Sequence, residues 1–216
     1  MGTVADPEGA TPVDSASTTR AAPLTASGEL RLHKGPKALV HSRCERELAV
    51  SHWLLAAAED MKAARREWEG TGIALLRCGG LFAAIRIPAG IVQAAAGTED
   101  PKRIGVYLDE AVHGPVFIDT SSQRYYALVP ASTPRLPQWA DRKVPDAECL
   151  GSGCFLGVPR PQRTEPEQFR SYWCVPMDGP GALCSPDAVS QLVAYGRYQR
   201  ALGERRAAEA DEDGHG

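Results

Sequence analysis

No stretch of this chain is apolar enough to cross a bilayer. A membrane helix needs about 20 consecutive apolar residues, and the longest run, residues 53–58, has six. An excess of basic charge is missing as well, since 24 Lys and Arg face 27 Asp and Glu. The surplus acid sits in the tail, where Arg205 and Arg206 face Glu204, Glu209, Asp211, Glu212 and Asp213; residues 41–203 carry 18 charges of each sign. That balance argues against a protein that coats nucleic acid non-specifically, because such binding rests on many Lys and Arg contacts to phosphate. It leaves room for a local basic patch. A basic segment followed by an apolar stretch is also absent at the N-terminus, which predicts no signal peptide, a cytoplasmic location and reduced thiols.

Paired cysteine knuckles are lacking too. Of six cysteines, Cys149, Cys154, Cys174 and Cys184 fall in the C-terminal half with no CxxC among them, so they are expected as small core residues and no metal site is expected. His41, Cys44 and His52 lie near the first helix, but nothing in the local sequence activates the thiol for nucleophilic work. Gly70-Thr71-Gly72 precedes a strand where a phosphate loop should follow one, and Gly151-Ser152-Gly153 has no lysine or helix behind it, so both read as turns.

What is present is one domain with tails: 216 residues, 43% hydrophobic and 24% charged. Residues 1–40 hold almost no large apolar side chain and are expected to be a disordered lead; residues 204–216 are expected to be an acidic disordered tail. Between them, apolar residues recur at helical spacing over 44–68, through Val50, Leu54, Ala57, Met61, Ala64 and Trp68. Strands are expected at 73–77 and 81–87, joined as a hairpin by Cys78-Gly79-Gly80. Pro88 and Pro101 open helices to Ala96 and Val112. Further strands follow at 115–119, 124–129, 154–158 and 172–175, with a long loop at 130–146. Ser185-Pro186-Asp187 starts a last helix to about Leu202. The order defines an α+β fold, a mixed or antiparallel sheet with flanking helices.

On strand 81–87, Phe82, Ala84 and Arg86 share one face while Leu81, Ala83, Ile85 and Ile87 share the other, expected to be the core face. This segment, with Gly72-Ile73-Ala74-Leu75-Leu76, Gly114-Pro115-Val116-Phe117-Ile118-Asp119, Arg124-Tyr125-Tyr126-Ala127-Leu128-Val129, the run GSGCFLGVPRP from Gly151 and then Tyr172-Trp173, resembles the N-terminal domain of bifunctional DNA primase-polymerases, the archaeo-eukaryotic primase-like group of plasmids and integrated elements. The pieces span about residues 68–176 in the family's order. In that family two carboxylates on one strand bind the metals that drive nucleotide transfer. The matching strand here holds Ala83, Ala84 and Arg86 and no acid, and a guanidinium cannot coordinate a cation. The family's nucleotide-contacting histidine is also missing from Gln123-Arg124-Tyr125-Tyr126. The resemblance therefore implies a catalytically dead relative with no cofactor, serving as an accessory or regulatory factor in DNA replication or mobile-element maintenance.

Arg86, Arg124 and Tyr126, with Arg160 and Arg163, are the expected nucleic-acid or nucleotide face, since arginine with interleaved aromatics suits phosphate contact and base stacking. The alternative for the same residues is the solvent side of half-buried strands. The loop residues Arg135, Trp139, Arg142 and Lys143 are a second candidate surface: an exposed Trp139 would mark a protein partner, a buried one a loop anchor. Asp109, Glu110 and Asp119 read as solvated acids. A protein-interaction module that binds another protein or a second copy, with no nucleic acid, is the competing function; an active nucleotidyltransferase using Asp109 and Asp119 is the third.

Overall fold

The first periodic segment breaks in two. The computed structural model describes residues 43–140, 144–166 and 170–213; the expected lead at 1–40 lies outside them. Where one helix over 44–68 was expected, α1 (Arg43–Leu55) and α2 (Met61–Gly70) appear. Asp60 causes the break. Its carboxylate accepts from the backbone N–H of Lys62 at 2.8 Å and Ala63 at 3.0 Å, which is an N-cap that restarts the helix. Most of the periodicity survives the interruption, because Val50, Leu54, Ala64 and Trp68 are all buried in one cluster with Ala57 packed against it, whereas Met61 at the restart is exposed.

The expected hairpin between the first two strands does not form. β1 (Ile73–Arg77) pairs antiparallel with β6 (Phe155–Pro159) as a separate two-stranded ribbon, while β2 (Phe82–Pro88) enters a five-stranded sheet. Cys78-Gly79-Gly80 is a turn between sheets, closed by the Gly79 N–H donating to the Phe82 carbonyl at 2.7 Å. The larger sheet has the order β5-β2-β4-β3-β7, all antiparallel, with β3 (Val116–Asp119), β4 (Arg124–Pro130), β5 (Glu148–Leu150) and β7 (Tyr172–Val175). The long loop is partly structured, with a 3₁₀ turn at Thr133–Arg135, the short α5 (Pro137–Ala140) and then β5.

Both faces of β2 are buried, so the single core face expected for it is corrected. Ala83, Ile85 and Ile87 join one cluster, with α3 (Ala89–Ala96), α4 (Pro101–Val112) and α6 (Pro186–Asp213). Phe82 and Ala84 join the other, beneath α1, α2 and the ribbon. A central strand covered on both sides loses the alternation that marks a half-buried one. Leu81, expected inward, precedes the strand and is 38% exposed.

α6 runs to Asp213, beyond the expected end at Leu202, so residues 204–213 of the acidic tail are helical. Gly203 costs only about 1 kcal/mol in a helix, and Glu204-Arg205-Arg206-Ala207-Ala208-Glu209-Ala210 after it are strong helix formers. α6 lies against α3 at Gly196, where a Cβ would collide with the Ile91 carbonyl. No helix among the described residues is long and apolar enough to cross a membrane.

Candidate functional site

Antiparallel register sets a row of side chains across all five strands on one sheet face. Glu148 of β5 is opposite Arg86 of β2, Arg86 is opposite Tyr126 of β4, Tyr126 is opposite Phe117 of β3, and Phe117 is opposite Trp173 of β7. Directly opposed residues share a face, so the row passes from an ion pair to an aromatic ladder. Arg86 Nη2 donates to Glu148 Oε2. Tyr126 stacks on Phe117 with ring centroids 5.0 Å apart, and Phe117 meets Trp173 edge-on at 5.2 Å. The next row holds Pro88, Arg124 and Asp119.

Arg86 and Arg124 open into one pocket of about 410 Å³, completed by Pro88, Val144, Pro145, Asp146, Ala147 and Glu148. Two guanidinium groups thus face two carboxylates. Each acid already has a cation: Glu148 has Arg86, and Asp146 Oδ2 accepts from Arg197 at 3.0 Å and Arg200 at 3.4 Å on α6. Arg124 is half-buried and has no ion pair among the described residues, which makes it the cation of the pocket that is available to an anion. The Arg86–Glu148 pair is itself open to solvent, with side chains 43% and 35% exposed, so it contributes at most about 1 kcal/mol.

Asp119 is committed elsewhere. Its carboxylate accepts from the Ser121 hydroxyl at 2.6 Å, the Ser122 hydroxyl at 2.6 Å and the Ser121 N–H at 3.0 Å. Burial pushes its pKa up, but these hydrogen bonds together outweigh burial and hold the carboxyl below its ordinary value. Asp109 and Glu110 are exposed on α4. Among the described residues no group of three or more His, Cys, Asp or Glu is placed to hold a metal ion. The six cysteines are free thiols; burial pushes Cys78, Cys174 and Cys184 up to about 12 and Cys149 to about 11.

Arg160 and Arg163 are not part of the Arg86–Arg124 pocket. They follow β6, and the Arg160 N–H donates to the Gly72 carbonyl at 3.0 Å at the start of β1. Arg160 is exposed beside a groove of about 250 Å³ with Leu48, His52, Leu55, Arg65 and Trp68. Arg163 lays its guanidinium over Gly72, whose φ of +80° and lack of a Cβ make room for it. Trp139 is 5% exposed and sits in the core cluster that α3, α4 and α6 cover. It is therefore a loop anchor, and the partner-contact expectation for it is corrected; its indole N–H has no hydrogen-bond partner among the described residues. Arg135 is exposed; Arg142 and Lys143 lie outside the described residues.

Sequence reasoning missed Glu148 and Asp146, the acids of the pocket. The strand carrying Glu148 is three residues long, too short to show a period of two. The only local signal was the acid next to an apolar pair in Glu148-Cys149-Leu150. Comparison with protein-family models, with curated proteins and with solved structures found no match for this chain.

Proposed function

We propose that this chain is a non-catalytic primase-polymerase-like domain that serves as an accessory factor in DNA replication or maintenance, and that it takes a phosphate-bearing ligand at Arg124 and Arg86. The observation that carries the reading is the row across the sheet. At the strand where the resemblance calls for metal-binding carboxylates stands Arg86, neutralised by Glu148, and beside it Arg124 makes no ion pair among the described residues. An arginine pair with the half-buried Tyr126 beside it in the row suits contact with phosphate and a base without a metal, while Phe117 is buried and only supports the tyrosine from below the surface. Such a site covers one or two phosphates and not a long track, which agrees with the neutral charge balance of residues 41–203.

The test is fluorescence anisotropy with labelled single-stranded DNA over a range of salt. Two phosphate contacts on a single strand predict a log–log salt slope of about −1.4. Arg86→Ala with Arg124→Ala should weaken binding at least tenfold and flatten that slope, with no primer extension in magnesium or manganese by either protein. Affinity unchanged in the double variant removes the binding reading. Template-dependent product abolished by Asp119→Asn overturns the non-catalytic one.

A second reading is a protein-interaction module. It is favoured by the placement of Arg160 and Arg163 away from the pocket and by Tyr195 and Tyr198, 47% and 60% exposed on α6. Sedimentation velocity of the purified chain separates the two: no DNA affinity together with stable self-association supports the module.

A further inference from the structure

The β1–β6 ladder continues one step past the strands that define it, and both residues at that step are cysteines. The register pairs Ile73 with Pro159 and Arg77 with Phe155; the next opposed pair is Cys78 with Cys154. The Cys78 N–H donates to the Cys154 carbonyl at 2.9 Å. At the other end the Arg160 N–H donates to the Gly72 carbonyl, so the hydrogen-bonded steps alternate along the ribbon and the cysteines fall on one of them, with one of its two bonds formed and the Cys154 N–H turned to the Gly151 carbonyl at 3.1 Å. We propose that Cys78 and Cys154 are an oxidisable pair that closes to a disulfide across the end of this ribbon.

The geometry fits on three counts. A hydrogen-bonded antiparallel pair holds its Cα atoms about 5.5 Å apart, within the range of about 4.4–6.8 Å that a disulfide spans. The two side chains point the same way, because Ala74, Leu76, Leu156 and Val158 of the same parity all face the core. Their Cβ atoms need to close by about 1 Å, and the flanking backbone can supply this, since Gly79 at φ +93° and Gly153 at φ +85° adjoin the pair. Gly79 already rests on Ser152, where a Cβ would strike the Ser152 backbone, so the two chain passages are in contact before any bond forms.

The chemistry divides between the two thiols. Cys78 is 1% exposed and kept protonated by burial, whereas Cys154 is half-buried and reachable. A peroxide oxidises the Cys154 sulfur to sulfenic acid and is reduced to water. The Cys78 sulfur then attacks that sulfur, the sulfenic oxygen leaves as a second water carrying the thiol proton, and the S–S bond forms. Cys149 also lies near both sulfurs, but it belongs to β5 of the larger sheet and packs against the opposite core cluster, so it stands outside the ribbon ladder; Cys184 donates to the Pro115 carbonyl, and Cys44 is exposed on α1. A closed bond ties the turn that leads into β2, and so to Arg86, to the passage that leaves β5, and so Glu148. The inference stands independently of the proposed function.

The experiment treats the full chain with stoichiometric hydrogen peroxide, blocks remaining thiols and maps peptides by mass spectrometry. A peptide linked through Cys78 and Cys154, lost on reduction, is the expected result, together with a rise in Tm of several degrees that reduction reverses. Cys154→Ser should abolish link and shift alike, and Cys174→Ser should leave both intact. Because Cys78→Ser changes a buried site, Cys154→Ser is the deciding variant. Oxidation to sulfinic acid with no linked peptide, or linkage spread evenly over the six cysteines, overturns the proposal.

Discussion

Trp68 and Trp173, from a helix and a strand 105 positions apart in the chain, donate their indole N–H groups to consecutive carbonyls of β6: Trp68 to Val158 at 2.9 Å and Trp173 to Pro159 at 3.0 Å. Both rings are buried. They hold the ribbon to α2 on one side and to the five-stranded sheet on the other.

Replacing either tryptophan by phenylalanine keeps most of the apolar area and removes the donor. Each change should cost about 0.5–1.5 kcal/mol in urea unfolding, the net value of one hydrogen bond. Trp173→Ala also discards the edge contact with Phe117 and should cost about 3–5 kcal/mol. A Trp173→Phe protein as stable as the parent would mean the bond to Pro159 contributes nothing.

The ion pair across β2 and β5 should hold little energy. A double-mutant cycle of Arg86→Ala and Glu148→Ala is expected to give a coupling of at most about 1 kcal/mol, as for other solvent-open pairs. A coupling of several kcal/mol would show the pair to be far better shielded than its exposure indicates.

Gly196 of α6 packs directly against the Ile91 carbonyl of α3. Gly196→Val should destabilise by about 1–3 kcal/mol or more, since the new side chain must push the Ile91 carbonyl away. Gly203→Ala, with open space around its Cα, should instead stabilise α6 by up to about 1 kcal/mol. Thermal melts of the two proteins should move in opposite directions.

Asp119 gives the acid limb of stability a definite sign. Its folded pKa lies below the unfolded value of about 3.9, so its contribution is fully present above that pH and fades as pH falls through the lower folded value. Asp119→Asn should be less stable than the parent near neutral pH, and the difference should shrink only below about pH 4. A gap that closes already between pH 7 and 5 would assign the effect to another group.

Much of the fold was legible because its signals are local. Pro101 at the first turn places α4, and Ser185-Pro186-Asp187 places the start of α6. What was not legible depends on partners distant in sequence. β1 leaves its neighbour β2 for a strand some 80 residues on, and nothing in Cys78-Gly79-Gly80 distinguishes a hairpin from a turn between sheets. The inward setting of Phe82 and Ala84 follows from a second layer of helices that periodicity in β2 cannot report. For the site, Arg86, Arg124 and Tyr126 could be placed on one face by counting strand parity. Glu148 could not, since its strand is too short, and Arg160 and Arg163 went astray because a face was extended past the end of β6 without knowledge of its pairing.

At about 1.5 Å per residue the 28 residues of α6 extend about 42 Å, and from Gly203 to Asp211 every residue is exposed. This stretch has no apolar stripe to hold it down. It also ends against its own macrodipole, because Glu209 and Asp211 crowd a terminus that favours cations. Ionic strength therefore governs its length: added salt screens that repulsion, so the last two turns should gain amide protection between 0.05 and about 0.5 M salt while the packed part of the same helix stays unchanged.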